Sequence, residues 1–153
     1  MRSKTVWNEV YKRIPFEIQL HSVGMPSRES GIYCAYIVIV KDNLPKSFDS
    51  LLCKKSTNKY FDRNRWDYSA LDRLFDFHGG ITYYEVLRDE FTGKKYGVKV
   101  GCDYAHLYDD YVDSEPVVSD TKKSIETFLS HFPECLVWDK VDGKYRKFEQ
   151  LKI

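Results

Sequence analysis

The uninterrupted run Ile32-Tyr33-Cys34-Ala35-Tyr36-Ile37-Val38-Ile39-Val40 constrains the fold more than any other stretch of the chain. Its β-branched and aromatic side chains lose rotamer freedom in a helix but pack well on a pleated sheet. The run is also far too short to cross a bilayer. It therefore predicts a central strand buried on both faces, which needs strands beside it and a layer packed against it. The preceding Met25-Pro26-Ser27-Arg28-Glu29-Ser30-Gly31 reads as a loop. Residues 41–65 are polar and carry turn signals at Asp42-Asn43-Leu44-Pro45 and Ser56-Thr57-Asn58, which predicts irregular chain with a short helix near residues 48–53.

Residues 7–14 space Trp7, Val10, Tyr11 and Ile14 in a helical pattern that Pro15 interrupts. Residues 74–78 and 81–88 read as strands broken by Gly79-Gly80. Asp89-Glu90-Phe91-Thr92-Gly93-Lys94 reads as a hairpin connection into a strand over residues 95–102. Ser119 or Asp120 is placed to cap a helix over residues 121–132, with Ile125, Phe128, Leu129 and Phe132 on one face and Pro133 as its stop. A short apolar run, Leu136-Val137-Trp138, then precedes a turn at Asp142-Gly143 and a basic tail through Lys144, Arg146 and Lys147. The expected architecture is α+β, a mainly antiparallel β-sheet with one principal helix packed on one face, in a single domain over residues 1–153.

With 24 Lys and Arg against 23 Asp and Glu, the formal net charge is +1. That balance argues against generic nucleic-acid binding, which a strong basic excess usually marks. Met1-Arg2-Ser3-Lys4 leads into Trp7-Asn8-Glu9 rather than an apolar segment, so the expectation is a cytoplasmic protein with no membrane partner. Cys34, Cys53, Cys102 and Cys135 lack the close pairing of zinc knuckles or redox dithiols and read as buried reduced thiols. Aromatic residues make up 16% of the chain, enough to fill a core and still supply a stacking surface for a planar ligand.

Two motifs carry polar chemistry. In His78-Gly79-Gly80-Ile81-Thr82-Tyr83 the two glycines permit left-handed backbone or close approach of a ligand, so His78 would be aimed by a sharp bend; a bulge with a half-buried histidine accounts for the same residues. In Gly101-Cys102-Asp103-Tyr104-Ala105-His106-Leu107-Tyr108-Asp109, Asp103 and His106 share a face if the chain turns helical there, although Asp103 could equally cap that turn. Imidazole and carboxylate together suit acid–base chemistry, hydrogen bonding to ribose and base edges, or a divalent metal. The ligand set is sparse, so no metal is assigned. His21 and His131 read as surface residues.

These two motifs resemble the HGG-[LI]-T-[YF] and G-[FC]-D-x-A-H-x-x-D signatures of a family of small uncharacterised phage and prophage proteins, and Gly31 to Ile37 is similar to the strand that family places upstream. The resemblance covers residues 31–132. Cys102 stands where that family more often has Phe, and Tyr108 where it more often has Gly. It implies a viral accessory protein acting in the cytoplasm of an infected bacterial host, and it points to His78, Gly79, Gly80, Thr82, Asp103, His106 and Asp109 as ligand-binding residues. The resemblance leaves any cofactor unknown.

The expected function is sequestration of a small nucleotide-type host immune signal, with Lys94, Lys95 and Lys99 near the motif for phosphates and a pocket shared between copies of a homo-oligomer. One alternative is a hydrolase or phosphodiesterase in which His78, Asp103 and His106 are catalytic. Another is a host-protein interaction module built on exposed aromatics.

Overall fold

The computed structural model describes residues 2–22, 31–40, 69–104 and 113–151. Strands β1 (Arg2–Tyr11), β2 (Ile14–Ser22), β3 (Ile32–Val40), β4 (Tyr83–Arg88) and β5 (Lys95–Asp103) form one sheet in the spatial order β1-β2-β3-β5-β4. Every pairing in it is antiparallel. Helix α1 (Ser69–Phe75) precedes β4, and α2 (Glu115–Ser130) lies across one face of the sheet. A separate hairpin of β6 (Leu136–Asp139) and β7 (Lys144–Lys147), followed by a 3-10 turn at Phe148–Gln150, completes an α+β architecture.

The core lies between α2 and the sheet. Ile18, Ile37, Ile39 and Val100 from the strands meet Val117, Ile125 and Phe128 from the helix, all essentially without solvent exposure. Burying side chains of this size stabilises by about 1.5–3 kcal/mol each, which is what fixes α2 to this face. The run 32–40 is central, between β2 and β5, as its composition predicts. Its helix-facing residues are buried, whereas Ile32, Tyr36, Val38 and Val40 on the other face are only half-buried.

Residues 7–14 are not helical but finish β1, turn, and enter β2. Trp7 and Tyr11 lie on one face of β1 and Val10 on the other, while Ile14 already belongs to β2, so the helical spacing combines residues of both faces and both strands. The chain reverses at Lys12-Arg13, both left-handed at φ 50° and 73°. Residues 74–78 are likewise not a strand: Phe75 closes α1, and Phe77 stacks on it at 5.1 Å. Two buried aromatics at alternate positions gave the strand-like pattern there.

Helix α2 begins earlier than expected. Asp113 accepts the Glu115 N–H at 3.0 Å and Pro116 occupies the first turn, while Ser119 and Asp120 lie inside the helix. The basic tail is β7, paired with β6. Both later hairpins turn by the same device. Asp89 and Asp139 accept the backbone N–H two residues on at 2.8 and 2.9 Å, and their carbonyls accept the N–H of left-handed Gly93 and Gly143. Residues 25–30 of the expected loop and the expected helix near 48–53 lie outside the described residues.

Candidate functional site

The His-Gly-Gly segment is held by α1. Asp72 accepts the Ile81 N–H at 2.6 Å, the Gly80 N–H bonds the Phe77 carbonyl at 3.0 Å, and the Thr82 N–H bonds Gly101 of β5 at 3.0 Å. Gly79 and Gly80 take φ of 71° and 89°, a region that L side chains rarely occupy, so both glycines are needed for the bend itself. Burial raises the Asp72 carboxyl above its usual range, and the Ile81 bond only partly opposes this.

The bend lays the half-buried His78 ring flat on Tyr104, centroids 4.5 Å apart and planes within 3°. Tyr104 is buried on the helix side. Its hydroxyl donates to Asp120 of α2 at 3.1 Å, and its N–H bonds the Tyr33 carbonyl. Asp103, one residue earlier on the extended chain, leaves β5 on the other face, in register with Cys34. It is the last residue of β5, and the turn it was expected to cap lies outside the described residues. The expected constellation is therefore divided: His78, Gly79, Gly80 and Thr82 gather beside α1 and β5, and Asp103 faces away from α2. His106 and Asp109 lie outside the described residues.

The sheet face opposite α2 carries its own network. His21 accepts or donates between Ser3 Oγ at 2.5 Å and the Tyr36 hydroxyl at 3.3 Å, so it is a half-buried member of a network rather than a plain surface residue. Lys99, one of the expected phosphate ligands, is paired with Glu17 at 3.1 Å and lies over the Tyr36 ring. Tyr36 and Tyr83 flank Gly101 and meet edge to face above it at 5.2 Å. Any side chain at Gly101 would strike the Ala35 carbonyl, only 2.3 Å from where its Cβ would sit. Burial pushes the Cys34 thiol up to about 11 and the Cys135 thiol up to about 12, which leaves both protonated and poor nucleophiles. Cys34, Cys102 and Cys135 are buried thiols outside any disulfide, and among the described residues no three His, Cys, Asp or Glu side chains are grouped to hold a metal ion.

A cleft of about 630 Å³ opens where the β1–β2 turn, α2 and the β6–β7 hairpin converge. Tyr11, Lys12, Arg13, Glu126, Trp138 and Tyr145 line most of it. Trp138 and Tyr145 are direct cross-strand partners, packed edge to face at 5.1 Å, and are 42% and 52% exposed. The Arg13 guanidinium stands 4.5 Å over the Tyr145 ring. Lys12 pairs with Glu126 at 2.8 Å and lies within 5.6 Å of the Tyr11 and Phe148 rings. Lys140 adds an exposed cation at the rim.

The acidic groups of the cleft are already engaged. Burial alone would raise the Glu126 carboxyl, but hydrogen bonds from Lys12 and Tyr11, with the Lys12 charge, outweigh it and hold the group below its usual range. Burial first, and Glu126 second, push the Tyr11 phenol up to about 12. Asp139 pairs with Arg146 at 3.2 Å. The cleft also presents the Trp138 and Tyr145 rings beside cations, a combination that binds flat anions by stacking and by charge.

No family model, curated protein or solved structure matches the chain. No helix among the described residues is long and apolar enough to cross a membrane.

The cleft was not anticipated from the sequence. Lys12-Arg13 has none of the Asn, Asp or Gly that announces a two-residue hairpin turn. The readable signal was Trp138 and Tyr145 placed symmetrically about the Asp139…Gly143 turn, which sets them opposite each other once that turn is taken as a hairpin.

Proposed function

We propose that this protein binds a small nucleotide-type anion in the cleft and holds it intact, as a phage accessory protein that withdraws a host immune signal would. The observation that carries the reading is the Arg13 guanidinium 4.5 Å over the Tyr145 ring beside exposed Trp138. A nucleobase can stack on such a surface while its phosphate meets Lys12, Arg13 or Lys140. A volume of about 630 Å³ falls within the range usual for small-molecule sites.

Storage is favoured over turnover by the groups present. Both carboxylates of the cleft are tied to cations, and no histidine is among the described residues that line it. General acid–base chemistry needs a group free to exchange a proton with the substrate.

Equilibrium dialysis against a panel of mononucleotides and cyclic dinucleotides tests this. At least one should be retained at micromolar concentration and recovered unchanged after heat denaturation. Trp138→Ala and Arg13→Ala should each weaken retention by roughly tenfold, the loss of one stacking or charge-assisted contact. Cleaved product that disappears in His78→Ala would replace storage with hydrolysis. No retained nucleotide, or retention indifferent to Trp138, would end the reading.

A further inference from the structure

We infer that β1 pairs antiparallel with β1 of a second copy about a two-fold axis passing between Val6 and Trp7. Among the described residues β1 is an edge strand, ten residues long and bonded only to β2. Edge strands of this length usually carry something that prevents pairing with other chains, and β1 carries charges and a bulge. Both features are self-complementary.

The register with β2 fixes which way each side chain points. Lys4, Trp7, Glu9 and Tyr11 lie opposite Leu20, Ile18, Phe16 and Ile14 on the helix side, while Ser3, Thr5, Asn8 and Val10 lie opposite His21, Gln19, Glu17 and Pro15 on the other. Val6, at the bulge, packs against the core. In an antiparallel pair, directly opposed residues share a face. A regular strand related to itself by a two-fold axis can oppose only residues separated by an even number of positions, whereas the extra residue at the bulge shifts that rule by one. Centred between Val6 and Trp7, the pairing sets Val6 against Trp7, Thr5 against Asn8, Lys4 against Glu9 and Ser3 against Val10, and every pair falls on a common face.

Charge selects the same alignment. Lys4 of each copy opposes Glu9 of the other, giving two opposite-charge pairs and no like-charge pair along the seam. Trp7, 41% exposed, is covered by the opposing Val6. Val10, 64% exposed, lines the ligand cleft, so the opposed start of the second β1 would border the cleft mouth. The pairing itself does not depend on what the cleft binds.

Sedimentation velocity of the full chain tests it by charge exchange. The wild type should sediment as a dimer at micromolar concentration. Lys4→Glu alone and Glu9→Lys alone each create two like-charge oppositions and should raise the dimer dissociation constant by on the order of tenfold. An equal mixture of the two should recover a mixed dimer, because both of its seams are then complementary. A monomeric wild type, a Lys4→Glu variant that dimerises unchanged, or a mixture that stays monomeric with both variants folded by circular dichroism would overturn the pairing. Glu9 also binds Lys122 at 3.1 Å, so Glu9→Lys is the variant most exposed to loss of fold. Should it unfold, Thr5→Cys combined with Asn8→Cys decides: an interchain 5–8 disulfide mapped by mass spectrometry supports the pairing, and its absence in folded protein overturns it.

Discussion

Arg13 is held where an arginine is conformationally costly. At φ 73° its backbone is in the left-handed region, about 1–2 kcal/mol less favourable for an L side chain than for glycine. Arg13→Gly should therefore leave the urea midpoint unchanged or higher, despite losing the contact with Tyr145, while nucleotide retention falls. A midpoint lowered along with retention would mean that the arginine serves the fold. Asp72 makes a second argument at this scale. Its carboxyl is raised in the folded state, so its contribution to stability is fully present below the unfolded value of 3.8 and is lost as pH rises through the folded value. Asp72→Asn keeps an oxygen for the Ile81 N–H and removes the buried charge. Thermal melts should show the variant at least as stable as the wild type at pH 7, with its advantage shrinking as the pH falls through the folded value and no further change below the unfolded value of 3.8. An advantage that grows on acidification would contradict that account.

Among the elements, α2 joins the parts. Phe128 stacks on Phe75 of α1 at 4.8 Å and meets Phe132 at a tilt at the same distance, while the same helix covers the sheet. Phe128→Ala should cost about 3–5 kcal/mol in urea unfolding, the range for truncating a fully buried aromatic. A loss below about 1 kcal/mol would show that α1 and α2 pack independently. The strands around β3 and β5 and the face of α2 were readable because β-branched alternation and helical spacing there follow directly from one buried face. The β1–β2 hairpin was not. Its bulge moves Trp7 out of phase, and a turn built from two left-handed basic residues carries no local signature. The strand-like reading of residues 74–78 failed for a related reason: tertiary stacking of Phe75 and Phe77, rather than strand alternation, explains why both are apolar.

Across the whole molecule, neighbours in sequence are not always neighbours in space. His78, Gly79, Gly80 and Asp103 attracted attention because glycine and ionisable residues cluster in sequence, yet Asp103 and the Tyr104 ring under His78 leave opposite sides of one strand. The cleft gathers residues that no sequence window contains. Tyr11 and Glu126, which bond across it, are 115 positions apart. Closing so long a loop carries an entropy that only the finished core offsets. During synthesis the strands can pair and the β4–β5 hairpin can form while the C-terminal wall of the cleft, from Glu126 to Leu151, is still inside or just leaving the ribosome. The same stretch carries Phe128, Leu129 and Val137 of the core, so a cut within it removes a wall of the cleft and part of what clamps α2 to the sheet at one stroke.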